Sequence, residues 1–398
     1  MALKYIDDLS PEQLKDKRVL ARFDFNVPLD KKDPSKITDT SRVDLALTTI
    51  KFLLDSGVSK LTLMSHLGRP KGERRPEFSL EPVASYLADQ LGEDVLLAES
   101  AVDVGVKELL TLKKTKIVLL ENLRFHKEET EDNEEFASKL AAYGDIYVND
   151  AFGAAHRKHA SVHIINKFFV GRAYAGKLIK SELKALNKIA DKPQKPFIAV
   201  VGGAKVSDKI KTIEKLMTTV DSLLIGGAMA YPFLKAKGHS VGKSLCSDED
   251  LKLAQSILKA DRGNKIKLPV DHLVSTEFGG APEVEEKTDI AEDHMGLDIG
   301  PKTIQLYESE IKKGKTVFWN GPMGLFENTD YAKGTMAIAE AMSSCDAFTL
   351  VGGGDSVSAV KKSGFSDRFG HISTGGGASL EYIEKGELPG IKALRFGV

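Results

Sequence analysis

Arginine, histidine, asparagine and aspartate recur in the first half of this chain just beyond short apolar runs. In the second half, paired and tripled glycines take that place. Val19–Phe25 leads to Asn26, Leu61–Met64 to His66 and Arg69, Ile117–Leu120 to Asn122 and Arg124, and Ile146–Val148 to Asn149 and Asp150. Later, Phe197–Val201 leads to Gly202 and Gly203, Ser222–Ile225 to Gly226 and Gly227, and Phe348–Val351 to Gly352, Gly353 and Gly354. Guanidinium forks match carboxylate and phosphate oxygens bidentately. Arg22, Arg42, Arg69, Arg124 and Arg157, with His66 and His156, therefore suit a compact, multiply charged anion, although each alone reads as a surface cation. Glycines at helix starts let backbone amides approach phosphate oxygens, although a lone glycine pair is more often a turn. Lys205 and Lys209 follow the first pair four residues apart and would share a face if a helix begins there. Asp355 follows three glycines, where a carboxylate suits either Mg2+ or an N-cap. An anion-holding half joined to a phosphate-holding half points to phosphoryl transfer between two domains.

The elements that must position these residues are short β-branched runs alternating with helical stretches, the pattern of βαβ units and parallel sheets. In an open α/β sheet, ligands bind just outside the carboxyl ends of the strands. Helical patterns cover 43–56, 80–91, 134–143, 207–220, 248–261, 301–313 and 329–343, with start signals at Ser79, Ser207-Asp208 and Thr329-Asp330. A further amphipathic pattern from Lys177 runs into Asp191-Lys-Pro-Gln-Lys-Pro196, whose prolines stop it before the next strand. The expected division is a first domain over 1–171, a connecting helix and hinge over 172–195, and a second domain over 196–385. The charge run Lys127–Glu135 reads as a solvated loop entering a helix.

Composition narrows the field. At 398 residues the chain exceeds the ~250–300 at which single cores stop growing, so two domains are expected. A net charge of −1 gives no bulk attraction to nucleic acid or an anionic membrane. Cys246 and Cys345 lack zinc-ligand spacing and read as buried, inert thiols. No apolar stretch approaches a membrane span and the amino terminus lacks a signal-peptide core, so a cytoplasmic protein is expected. Gly238–Ser244 has three residues between its glycines where a Walker A loop needs four, and no glycine triplet completes GxGxxG.

At these residues the chain resembles the phosphoglycerate kinase family. The matching stretches are Arg22–Pro28, Ser65–Gly72, Leu120–His126, Asn149–Arg157, Gly202–Lys209, Trp319–Glu327, Gly352–Ser356 and Ser373–Ser379, in family order over nearly the whole chain. Met229–Pro232 departs from the aromatic and threonine frequent there. The resemblance implies two Rossmann-like α/β domains and a carboxyl-terminal tail, about 386–398, that returns to the first. It also implies reversible transfer of a phosphoryl group from 1,3-bisphosphoglycerate to MgADP, giving 3-phosphoglycerate and MgATP, by a monomer with no nucleic-acid or membrane partner. Carried onto matching positions, Asp24, Asn26, Arg42, His66, Arg69, Arg124 and Arg157 would bind phosphoglycerate. Lys205 and Lys209 would contact the nucleotide phosphates and the group in flight. Gly203, Gly227, Gly296, Asn320 and Leu325 would shape the nucleotide site, and Glu327 would hold the ribose. Gly353, Gly354 and Ser356 would lie along the phosphates, and Asp355 would bind the Mg2+. Arg42 and Lys205 are the expected catalytic pair. An NAD-linked oxidoreductase is disfavoured by the missing GxGxxG. A non-catalytic nucleotide- or anion-binding protein is disfavoured by the coexistence of Arg42, Lys205 and Asp355.

Overall fold

The computed structural model describes residues 2–398 and divides into two compact units, one running to Lys184 and taking in Glu387–Val398, the other Ala185–Gly386. Each is built on mostly parallel strands flanked by helices. In the first, β1 (Arg18–Arg22), β2 (Lys60–Met64), β3 (Val95–Leu97), β4 (Ile117–Leu119), β5 (Ile146–Asn149) and β6 (Ala173–Ala175) lie in the order β3-β4-β2-β1-β5-β6. All neighbours are parallel. Parallel strands covered on both faces need near-continuous apolar sequence. Val19, Ala21, Leu61, Leu63, Ile117 and Leu119 accordingly pack with Val43, Ile50 and Leu53 of the helix Ser41–Asp55 and Val83 and Leu87 of the helix Glu81–Leu91. The strand order turns at β1, which has β2 on one side and β5 on the other, so the crevice beside its carboxyl end is the natural binding position.

The second unit repeats the plan with β7 (Phe197–Val201), β8 (Ser222–Ile225), β9 (Ile266–Lys267), β13 (Thr316–Asn320), β14 (Phe348–Gly352) and β15 (His371–Ile372). Their order is β15-β14-β13-β7-β8-β9, all parallel, and it turns at β7. Val200, Val317, Trp319 and Val351 pack with Tyr307 and Ile311 of the helix Pro301–Lys313 and Ile338 and Met342 of the helix Lys333–Ser344. Between these strands in sequence come β10 (His272–Ser275), β11 (Glu283–Glu285) and β12 (Met295–Ile299), an antiparallel sheet in the order β11-β10-β12. No expected element covers it: polar residues and Gly296 break up the apolar residues of β10 and β12, and β11 is only Glu-Val-Glu.

The connecting helix spans Lys177–Ala190. Its amino end is held by the residue just after β5 and by the helix Ser41–Asp55: Asp150 accepts from Ile179 N (2.9 Å) and from Thr49 Oγ1 (2.6 Å), whose oxygen accepts in turn from Lys177 N at 3.1 Å. The tail helix Pro389–Phe396 packs in the first unit, with Gly390 N donating to Ala155 O at 2.8 Å. Two expected elements differ. The helix read over 207–220 begins only at Ile210 and ends at Met217, with Ser207 and Asp208 left in the preceding turn. Residues 329–343 divide into a 3-10 turn, Thr329–Tyr331, and a helix beginning at Lys333. Among the described residues no helix is long and apolar enough to cross a membrane.

Candidate active site

The carboxyl ends of β1, β2 and β4, with the loop after β5, bring cations together in the first unit. β1 places Arg22 wholly inside the protein. Its Nε donates to Ser161 Oγ (2.9 Å), one terminal nitrogen donates to Phe23 O, and Nη2 donates to His66 Nδ1 at 3.0 Å. Glu129, also fully buried, lies 4.0 Å from Arg22 and accepts from Ser161 N (2.9 Å) and Ser161 Oγ (2.6 Å). Burial pushes this carboxyl up, opposed by Arg22 and the Ser161 hydrogen bonds. The charge run over 127–135 is thus not simply solvated, since one of its carboxylates sits inside the arginine cluster.

Arg42 reaches Asp24 through a 2.9 Å ion pair and stays about a third exposed, its side chain at 37%. Asn26 Oδ1 accepts from Gly68 N at 2.8 Å, and Arg124 Nη1 donates to Gly68 O at 2.8 Å. Both polar groups of Gly68 are therefore gripped from neighbouring strand ends, which holds the loop that presents the exposed Arg69. Asn122 adds to this hold by donating to Leu67 O (2.7 Å) and Phe78 O (2.9 Å). Burial, then Arg22, push the Arg124 guanidinium down to about 10, so it stays charged at neutral pH, and its buried Nε has no hydrogen-bond partner among the described residues. Burial, then Arg22, Arg124 and Arg42, hold His66 well below the ordinary imidazole range. His159 is pushed down to about 3 by burial and by Arg124, Arg22 and Arg157. Arg157 is exposed on the loop after β5 and acts electrostatically on both His159 and Arg124. Asp24, Arg42, His66, Arg124 and Arg157 thus share one electrostatic neighbourhood, and Asn26 and Arg69 adjoin it through Gly68. The whole can take up a compact anion of several charges.

In the second unit, Gly202 and Gly203 end β7 and Gly226 and Gly227 end β8. Gly227 has φ +67°, and a Cβ there would lie 2.6 Å from Gly203 N and 2.7 Å from Gly203 O, so the two loops cross where only glycine fits. Lys209 donates to both oxygens of Asn320, at 3.2 Å to its carbonyl. Burial pushes the Lys209 ammonium down to about 8, partly offset by Asp355 and Asp208. Asn320 Nδ2 donates to Gly352 O (2.7 Å), and Gly321 N donates to the buried Ser356 Oγ at 2.5 Å. These bonds tie the end of β13 to the end of β14. Lys205 is exposed on the loop before the helix Ile210–Met217, so it does not share a helical face with Lys209, which itself precedes that helix.

Asp355 lies in the first turn of the helix Gly354–Ser363, exposed, while the N-cap position belongs to Gly353; the N-cap reading of Asp355 is therefore incorrect. A Cβ on Gly354 would meet nothing within 4 Å, so this helix start is open to an approaching group. Among the described residues no group of three or more potential metal ligands is gathered. Mg2+ needs no such cage when one carboxylate and substrate phosphates share it, so the exposed Asp355 fits. Gly296, on β12, accommodates the Tyr231 hydroxyl, which would lie 2.0 Å from an added Cβ; packing alone thus requires glycine there. Leu325 packs against Leu273, Leu297 and Tyr331, and Glu327 beyond it is exposed. Cys246 and Cys345 are half-buried rather than fully buried, their thiols pushed up by burial.

The sequence profile described as phosphoglycerate kinase matches residues 6–386. A phosphoglycerate kinase of Clostridium perfringens is 50% identical over 397 residues, covering 98% of each chain, and one of Anaeromyxobacter dehalogenans is 50% identical over 400, covering 99% of each. The solved phosphoglycerate kinase of Coxiella burnetii superposes with a TM-score of 0.87 at 38% identity, over 99% of this chain and 98% of that one.

Proposed function

Because this chain belongs to the phosphoglycerate kinase family and is a phosphotransferase, we propose how its own residues divide the reaction. The first unit takes 3-phosphoglycerate or 1,3-bisphosphoglycerate on Asp24, Asn26, Arg42, His66, Arg69, Arg124 and Arg157. The second takes ADP or ATP on Gly203, Lys205, Lys209, Gly227, Gly296, Asn320, Leu325, Glu327, Gly353, Gly354, Asp355 and Ser356. The observation that carries this reading is the gathering of arginines and His66 at the strand ends of one sheet, while the other sheet's strand ends carry crossing glycine loops and Lys209.

The chemistry needs no general base. In the ATP-consuming direction the nucleophile is a carboxylate, ionised at neutral pH, so no proton must be removed. What remains is in-line positioning and stabilisation of charge on the equatorial oxygens. Arg42, about a third exposed, and Lys205, exposed, are assigned that charge. Lys209, braced by Asn320, and the open amides after β14 hold the phosphates of the nucleotide. Asp355 would hold Mg2+, which when bound neutralises phosphate charge. The segment 172–195 serves as the hinge that lets donor and acceptor come into line. The enzyme acts as a cytoplasmic monomer on small molecules, a reading that rests on family membership.

Titration calorimetry tests the division. Arg124→Met should lose 3-phosphoglycerate and keep MgADP, and Lys209→Met should do the reverse. A variant that lost the other unit's ligand would overturn the assignment.

A further inference from the structure

The buried polar chain behind His66 has a fixed direction. Ser161 has one hydroxyl proton, and it points to Glu129, the only acceptor-type group in the pair, at 2.6 Å. Its oxygen must therefore accept from Arg22 Nε, at 2.9 Å. Arginine has donors and no acceptor, so at the 3.0 Å contact between Arg22 Nη2 and His66 Nδ1 the ring nitrogen must accept. The proton of a neutral His66 then resides on Nε2. A second proton on Nδ1 would face the guanidinium directly, and Arg42, Arg124 and His159 surround the ring from the other elements. Among the described residues Nε2 makes no hydrogen bond, so its N–H remains available.

We propose that the buried Glu129–Ser161–Arg22 relay is a positioning device that fixes His66 as a neutral Nε2–H donor to the bound acid. His66 then contributes a directed hydrogen bond and not a positive charge; the cluster's charge comes from its arginines. Arg22, wholly buried, acts through His66 and does not touch the substrate. Burying a cation there is tolerable because Glu129 lies within the same network. The inference rests on the assignment of His66 to the phosphoglycerate site.

The test reads the tautomer directly, by 15N NMR of the full-length enzyme carrying 15N-labelled histidine, with and without 3-phosphoglycerate. The account expects an Nε2–H tautomer for His66 that persists below pH 6, where an ordinary imidazole is largely charged. It also expects that 3-phosphoglycerate shifts the Nε2 resonance. Arg22→Met/Glu129→Gln removes both buried charges together. It should give a mixed tautomer population and a KM for 3-phosphoglycerate raised about tenfold, the scale of one lost hydrogen bond, with kcat changing less. His66→Gln keeps an N–H donor near Nε2 and should stay within about threefold of the parent KM, whereas His66→Ala should match the double variant. An imidazolium or an Nδ1–H tautomer at pH 7, or His66→Gln as impaired as His66→Ala, would overturn the proposal while leaving the site assignment standing. A His66 signal indifferent to 3-phosphoglycerate would overturn both.

Discussion

Arg42 and Lys205, the two side chains assigned to the group in flight, are both accessible, and Arg42 already holds a carboxylate, Asp24, in an ion pair. A partly exposed pair of this kind contributes little to stability. Arg42→Ala and Lys205→Ala should therefore fold normally and lower kcat roughly 100-fold, as loss of a preorganised charge donor does, with smaller changes in KM. Steady-state kinetics showing only a changed KM would contradict the role. Lys209 differs because burial pushes it down to about 8. It is charged below that pH and neutral above it, so MgADP affinity should weaken as pH rises past about 8. Calorimetry on the parent should show that loss, and Lys209→Arg, whose guanidinium stays charged throughout, should not. Much of this scale was legible in sequence, because arginines, glycines and lysines fall in family order. What was not legible is which charges are buried. Glu129 sits in a run of solvated neighbours and Arg22 in an apolar strand. Local sequence gives no sign that they approach within 4.0 Å through residues 107 positions apart. Lys205 shows the opposite error, its spacing from Lys209 suggesting a helical face where the chain is still a loop.

At the scale of elements, the parallel strands were readable because they are largely apolar, but their exact ends were not, since β1 stops at Arg22 and β4 at Leu119 while the apolar runs continue to Phe25 and Leu120. The antiparallel strands β10–β12 were not readable, because His272, Ser275, Gly296 and Asp298 interrupt the apolar residues of β10 and β12, and β11 is a mostly exposed Glu-Val-Glu. The seating of the connecting helix was also invisible, since Thr49, Asp150 and Lys177 come from three separate stretches of sequence. Thr49→Val removes two of these hydrogen bonds and should cost about 1–3 kcal/mol in urea unfolding. Asp150 gives the same seat a pH signature. Burial pushes its carboxyl up to about 6, against about 3.9 in an unfolded chain. Between those values the native state holds a proton that the unfolded state lacks, so stability falls as pH rises and the loss is complete above about 6. The slope due to this group is at most about 1.4 kcal/mol per pH unit, and Asp150→Asn should remove it from the urea midpoint's pH profile.

For the whole molecule, the central claim is that two units, each with its own ligand, are made into one catalyst by the segment that joins them. Contacts divide the chain within the helix Lys177–Ala190, between Lys184 and Ala185. Proline at Ala185 breaks that helix without touching either ligand set. Ala185→Pro should leave each ligand's Kd within a few-fold while turnover falls at least ~100-fold, as misplaced reactants do. Equal losses in binding and turnover would mean that the helix serves stability alone. The most direct measurement is ADP formation from MgATP with and without 3-phosphoglycerate, in an assay coupled to remove the acyl phosphate. The account predicts turnover only when 3-phosphoglycerate and Mg2+ are both present. ADP release at the same rate without 3-phosphoglycerate, or no turnover while both ligands bind, would contradict it.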